Sequence, residues 1–129
     1  MKRILFLDDN KHRHRTIKPY LLHDEAFTAG EAIKLLQDKQ YDIVFLDHDL
    51  GESEMVFSFS EEETGYTVAK WIAENKPKIP LVVVHSLNYE GSNNIACLLK
   101  NHDYYVLQQM FTELPQVVDD ILAWEPPVE

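Results

Sequence analysis

The chain has 129 residues, enough for one domain with a real core, and its 45% hydrophobic and 26% charged content is that of a soluble globular protein. A formal charge of −10 excludes broad binding to nucleic acid or to an anionic membrane, since both need a cationic face. No apolar run approaches the roughly 20 residues of a membrane helix, the apolar stretch after Met1-Lys2-Arg3 runs into Asp8-Asp9 with no small-residue cleavage site, and Cys97 is the only cysteine, so neither a disulfide framework nor a cysteine-rich zinc site is expected and a reduced, cytoplasmic setting fits.

Ile4-Leu5-Phe6-Leu7 is an uninterrupted apolar run, the pattern of a strand buried on both faces of a parallel sheet. A polar helix is expected from Asn10, kinked or ended by Pro19. It carries the basic segment Lys11 to Lys18, a solvated face unless its place directly after Asp8-Asp9 gives it a role. Ala26-Phe27 reads as a short second strand. Thr28-Ala29-Gly30-Glu31 has the form of a capping box, and Ala32, Ile33, Leu35 and Leu36 supply the stripe of the helix it opens. Tyr41 to Asp47 is a third strand, apolar until its final carboxylate.

An acidic stretch follows from His48 to Glu63. Its Val56-Phe57-Ser58-Phe59 segment is either a strand or hairpin arm over a pocket or a surface loop, and Glu61-Glu62-Glu63 favours the next helix's N-terminus. Thr64 caps a helix carrying Val68, Ala69, Trp71 and Ile72, which stops before Pro77; both tryptophans, Trp71 and Trp124, read as core. Pro80 to Val84 is a β-branched strand ending in His85-Ser86. Ser92 is expected to cap a fourth helix through Leu99. Tyr104 to Leu107 makes a fifth strand, and Thr112 opens a last helix with Pro115 in its first turn, where the amides lack partners anyway. The last five residues, 125–129, read as a frayed tail.

Five alternations of strand and helix without repeat or linker imply one α/β domain over 1–129, a parallel sheet with helices on both faces and right-handed crossovers. In such sheets ligands bind beyond the carboxyl ends of the strands. There the first strand delivers Asp8-Asp9, the third Asp47-His48-Asp49 and the fourth His85-Ser86. Clustered carboxylates suit Mg²⁺ or Mn²⁺, hard ions that bridge to phosphate oxygens; without a cation they repel one another and their pKa values rise.

The paired Asp8-Asp9, Asp47 and Ser86 resemble the phosphoacceptor receiver domains of two-component signalling over nearly the whole chain. The resemblance implies a flavodoxin-like, doubly wound five-stranded sheet of order 2-1-3-4-5 in three layers. It makes Asp8 and Asp9 metal ligands, Asp47 the phosphorylated carboxylate and Ser86 the hydroxyl that senses the phosphoryl group. The usual lysine after the fifth strand is replaced by Leu107-Gln108-Gln109-Met110, and neutral glutamine cannot clamp an aspartyl-phosphate. The loop after the acceptor is also replaced, by His48-Asp49-Leu50-Gly51 and an insertion over 48–63. Leu7-Asp8-Asp9, Arg13-His14, Leu46-Asp47-His48-Asp49-Leu50-Gly51, Thr64-Gly65 and His85-Ser86-x-Asn88-x-x-Gly91 resemble a divergent group instead, the cyclic-phosphate-processing receiver domains. That resemblance implies work on a cyclic phosphate.

Hydrolysis or transfer at phosphorus follows as the expected chemistry. A metal ion on Asp8, Asp9 and Asp47 would neutralise phosphate charge, with Asp49 an outer ligand or a base. His85 and His48 are candidate general acid and base, Ser86, Asn88 and the amides around Gly91 a phosphate cradle, and Arg13 or His14 a closure of the anion site. A covalent route through Asp47 stays open. Plain structural readings stand beside these: Asp49 bonding the turn at Gly51, His85 a satisfied core histidine, Ser86 and Asn88 ordinary loop residues. The leading reading is a metal-dependent phosphoesterase for a cyclic-phosphate or nucleotide-like substrate. A phosphoaccepting or pseudo-receiver module and a non-catalytic binder of a small phosphorylated ligand are the alternatives. The sequence sets no oligomeric state.

Overall fold

The computed structural model describes residues 2–49 and 64–127. The Val56–Phe59 segment, nearly all of the 48–63 insertion and the last two residues of the tail lie outside the described residues. Three strands are the expected apolar runs: β1 (Ile4–Leu7), β3 (Ile43–Leu46) and β4 (Leu81–Val84), every residue of each buried. With the edge strands β2 (Asp24–Ala26) and β5 (Val106–Gln108) they form a parallel sheet of order β2-β1-β3-β4-β5. The helices are α1 (Lys11–Ile17), α2 (Ala29–Asp38), α3 (Gly65–Asn75), α4 (Tyr89–Asn101) and α5 (Leu114–Ala123).

Period two along each strand splits the core into two layers. Leu5, Leu7, Val44, Leu46, Val82 and Val84 pack against α2, α3 and α4. Ile4, Phe6, Ile43, Phe45, Leu81 and Val83 pack against Ile17 of α1 and Leu114, Val118 and Ile121 of α5. Strands covered on both faces have no polar side to display, hence their continuous apolar runs. Trp71 and Trp124 pack at the margins of the two layers, half-buried. No helix among the described residues is long and apolar enough to cross a membrane.

The structure moves several expected boundaries, for local reasons. β2 stops at Ala26 because the Phe27 amide donates to the Glu31 carboxylate at 2.8 Å. Glu31 thus reaches one residue past the cap position, while Thr28 caps α2 as expected. β3 begins at Ile43, since the Asp42 carboxylate accepts the Arg3 amide at 2.7 Å. α4 starts at Tyr89, capped by Asn88 rather than Ser92. Ser92 is buried within that helix and accepts from Gln108 Nε2 at 3.0 Å. β5 starts at Val106, the Tyr104 hydroxyl having bonded the Pro77 carbonyl. Thr112 lies in a 3₁₀ turn, Phe111–Glu113, ahead of α5, whose proline occupies the first turn.

Candidate functional site

The ladder runs one residue past three strands: Asp47 N–H donates to the Leu7 carbonyl, His85 N–H to Leu46 and Asp8 N–H to Ala26. Strand alternation therefore still aims the side chains at these positions. Asp8, Asp47 and His85 continue the Phe6, Phe45 and Val83 face, toward α1 and α5. His48 and Ser86 follow on the opposite face, toward α2, α3 and α4.

On the first face, buried Asp8 and Asp47 and half-buried Asp9 bring carboxylate oxygens within 4.8 Å of one another. Arg13, from α1, sets its Nη1 3.2 Å from Asp8 Oδ2 and 3.6 Å from Asp47 Oδ2, its guanidinium lying over the Phe111 ring. Asp8 Oδ1 accepts the Asn10 amide at 2.9 Å. One cation does not offset the crowding. Burial, then the neighbouring Asp8, pushes the Asp47 carboxyl up to about 8 despite Arg13. Burial also raises Asp8, against the Asn10 amide and Arg13, which hold it down. Three hard oxygen donors with an unmet demand for positive charge fit a divalent ion.

Neither glutamine that stands where a receiver has its lysine is bonded to these carboxylates. Gln108 Nε2 bonds Ser92 and Asn93 on α4, and Gln109 Nε2 bonds Glu113. The cation beside Asp47 comes from the other end of the site, on α1. Arg13 is the sequence candidate that reaches the carboxylates directly.

Three expectations need correction. His85 is fully buried and stacks on Phe6 (centroids 4.7 Å apart, planes 8° from parallel). Burial, reinforced by Arg13, drives its pKa down to about 3, against the Leu7 carbonyl and its own. At neutral pH it is an uncharged core ring behind Asp8, its Nδ1 3.8 Å from Asp8 Oδ2, and has no proton to donate as an imidazolium. His14, expected near the anion, is buried and turned away: its Nε2 lies 2.8 Å from the Asp8 carbonyl oxygen and its Nδ1 3.2 Å from His23 Nε2. The Gly91 amide itself is committed to the Asn88 side chain at 2.8 Å, as the α4 cap, and is not free for a phosphate oxygen.

On the opposite face His48, Asp49 and Asn88 form one network. His48 Nδ1 lies 2.8 Å from Asp49 Oδ1, which also accepts from Asn88 Nδ2 at 3.1 Å; Asn88 N–H donates to the buried Ser86 hydroxyl at 3.0 Å. Burial pushes Asp49 up, but these two hydrogen bonds outweigh it and hold its carboxyl below the usual range. Glycine at 91 is required because a Cβ there would lie 2.5 Å from the His48 ring. His48 lines a cleft of ≈ 660 Å³ with Thr64, Tyr66 and Asn94.

The model of the cyclic-phosphate processing receiver domain matches residues 3–101. The chain belongs to that family. No curated protein sequence matches it. Among solved structures this receiver domain is similar to the non-phosphorylated HemR receiver domain of Leptospira biflexa, at 16% identity over 100% of both chains with a TM-score of 0.71. It is similar to the NtrX receiver domain of Brucella abortus at 22% identity over 93% of this chain and 98% of that one, TM-score 0.62. With the response regulator TrrA of Thermotoga maritima, solved in complex with Mg²⁺-BeF, it shares 25% identity over 94% of this chain and 99% of that one, TM-score 0.65. These likenesses establish the receiver fold.

The site of this cyclic-phosphate processing receiver domain includes residues without a sequence signal. Phe6 stacks on His85, and Phe111 packs against both His85 and the Arg13 guanidinium; neither phenylalanine belongs to a motif in the sequence.

Two of the shifted groups, Asp47 and His85, give ion-free protein a distinctive pH dependence. Above 3.8 the unfolded Asp47 has lost its proton while the folded one keeps it until about 8, so stability falls as pH rises through that window. His85 works oppositely: between about 3 and 6.5 the unfolded ring binds the proton that the folded ring refuses, so stability rises with pH there. The two offset below pH 6.5. From 6.5 to 8, of these two, only the fall due to Asp47 remains. Unfolding midpoints measured in chelator should drop across that interval, and Asp47→Asn should remove most of the drop.

Proposed function

We propose that this domain opens a cyclic phosphate by hydrolysis. Asp8, Asp9 and Asp47 would hold Mg²⁺ or Mn²⁺. That choice draws support from the carboxylate geometry and from TrrA, which was solved with Mg²⁺-BeF. When bound, the ion supplies charge neutralisation at the phosphate oxygens. With a cation on the carboxylates, Arg13 is released to pair with a phosphate oxygen, for which its planar fork is suited.

The observation that carries the reading is the His48–Asp49–Asn88 network. A receiver that merely stores a phosphoryl group on aspartate needs no imidazole oriented by a carboxylate. Ring opening does: water attacks phosphorus, one P–O ester bond breaks, and the leaving alkoxide must gain the proton that water loses. Asp49 fixes the hydrogen on His48 Nδ1, leaving Nε2 with its lone pair. His48 Nε2 takes the water's proton and returns it to the alkoxide of the opened ring. The cleft beside His48 accepts the organic part of the substrate.

His48→Ala is expected to reduce ring opening by on the order of 10²–10⁴ with Mg²⁺ affinity unchanged. Gly91→Ala should mimic it, because the new methyl displaces the His48 ring. A panel of cyclic mono- and dinucleotides with Mg²⁺ or Mn²⁺, followed by phosphorus NMR, reads both. The fold also supports a second reading, transfer of a phosphoryl group to Asp47 as in response regulators. Stable label on Asp47 from acetyl phosphate, with no ring-opened product from any cyclic phosphate, would replace the first reading by the second.

A further inference from the structure

We propose that His14, His23 and Glu25 form a separate metal site of the Zn²⁺ type, between α1 and the edge strand β2. The three residues bring His14 Nδ1, His23 Nε2 and a Glu25 oxygen within 4.8 Å of one another. This cluster lies outside the acidic pocket, and the inference does not depend on the hydrolytic reading.

His14 Nε2 lies 2.8 Å from the Asp8 carbonyl oxygen, and His23 Nδ1 lies 2.7 Å from the Leu21 carbonyl oxygen. A carbonyl oxygen only accepts, so each of those nitrogens carries its ring's hydrogen. In the neutral rings the two remaining nitrogens, His14 Nδ1 and His23 Nε2, are bare lone pairs. They face each other at 3.2 Å. Two acceptors at that distance repel unless a positive centre sits between or beside them.

A transition ion meets this need better than a shared proton. Zn–N bonds of roughly 2.0–2.1 Å at a tetrahedral angle set two nitrogen ligands about 3.3 Å apart, close to the separation observed. Both rings already donate their other N–H to a backbone carbonyl, the outer hydrogen bond that holds metal-binding imidazoles in place. Glu25 Oε2, 3.9 Å from His14 Nδ1, is the third donor. Its side chain is exposed, so it can close the remaining gap, and its 4.0 Å approach to Lys18 Nζ is a loose pairing that an ion displaces. Two imidazoles and one carboxylate select Zn²⁺ over Mg²⁺, and three protein ligands leave a fourth position for water. Phe6 and Phe27 pack on the rings and fix their planes.

Calorimetric titration of the full chain with Zn²⁺ alone, in excess Mg²⁺ to occupy hard-oxygen sites, tests the proposal. One equivalent is expected to bind at micromolar or tighter concentration, and Co²⁺ in its place should give the visible bands of a tetrahedral complex. Asp47→Asn should bind Zn²⁺ as the wild type does, separating this site from the acidic pocket. His23→Ala should weaken binding by on the order of 100-fold and erase the Co²⁺ bands. Glu25→Gln, an exposed change that leaves the core untouched, should weaken it by on the order of tenfold. Zn²⁺ affinity that is the same in wild type and both variants, or folded wild type that binds no Zn²⁺, overturns the site.

Discussion

Replacing Gly65 by Ala is expected to destabilise this domain by about 2–3 kcal/mol, at the upper end of overpacking costs, and to lower its unfolding midpoint by roughly 10 °C. The Cβ would stand 2.1 Å from the Asp47 carbonyl oxygen and 2.9 Å from its carbon. Those atoms are backbone and cannot swing aside as a side chain does. They are also fixed: the Gly65 amide donates to the His48 carbonyl at 2.9 Å, and the Asp47 amide continues the ladder to Leu7. Either the start of α3 moves off the end of β3 or β3 shifts in register. Both displace Asp47, so divalent-ion affinity should fall together with stability. Thermal denaturation monitored by circular dichroism, with and without Mg²⁺, reads both. A midpoint within a degree or two of wild type would mean that α3 does not approach β3 this closely.

Asp47→Asn should impair ion binding and the chemistry together, and have an opposite effect on stability. Asparagine keeps the shape but removes the charge that burial and Asp8 oppose. In ion-free buffer near pH 8 the variant should therefore unfold at a higher temperature than wild type. The same change removes one of three carboxylate donors. Mg²⁺ affinity is expected to fall by on the order of 100-fold, and ring opening by on the order of 10²–10³. Because an ion that binds only folded protein raises the midpoint through mass action, one series of melts against Mg²⁺ concentration measures both quantities. An unchanged Mg²⁺-dependent rise in Asp47→Asn would remove Asp47 from the ion site.

These expectations show how unevenly the chain advertises its structure. β1, β3 and β4 are legible because strands covered on both faces must be apolar throughout. The edge strands β2 and β5 have one buried residue each, so hydrophobic pattern marks them poorly and their bounds shifted. Thr28 and Thr64 announce their helices, since a hydroxyl ahead of an apolar stripe has an amide to satisfy. Asn88 and Ser92 are both capping types; the Ser86–Asn88 turn and the demand of Gln108 for a partner decided between them.

At the site, the sequence by itself determined which chemical groups arrive at the carboxyl end of the sheet, because alternating strands and helices fix where strand ends must lie. It placed Asp8, Asp9 and Asp47 there, and it displayed the glutamines that replace a lysine. Only the tertiary structure decided that Arg13 supplies the cation beside Asp47, that His85 is an uncharged ring stacked under Phe6, and that His14 turns from the anion toward His23. The reason is physical: periodicity is a local property of the chain, whereas burial, charge pairing and proton affinity depend on which distant residues the packed helices bring within a few ångströms.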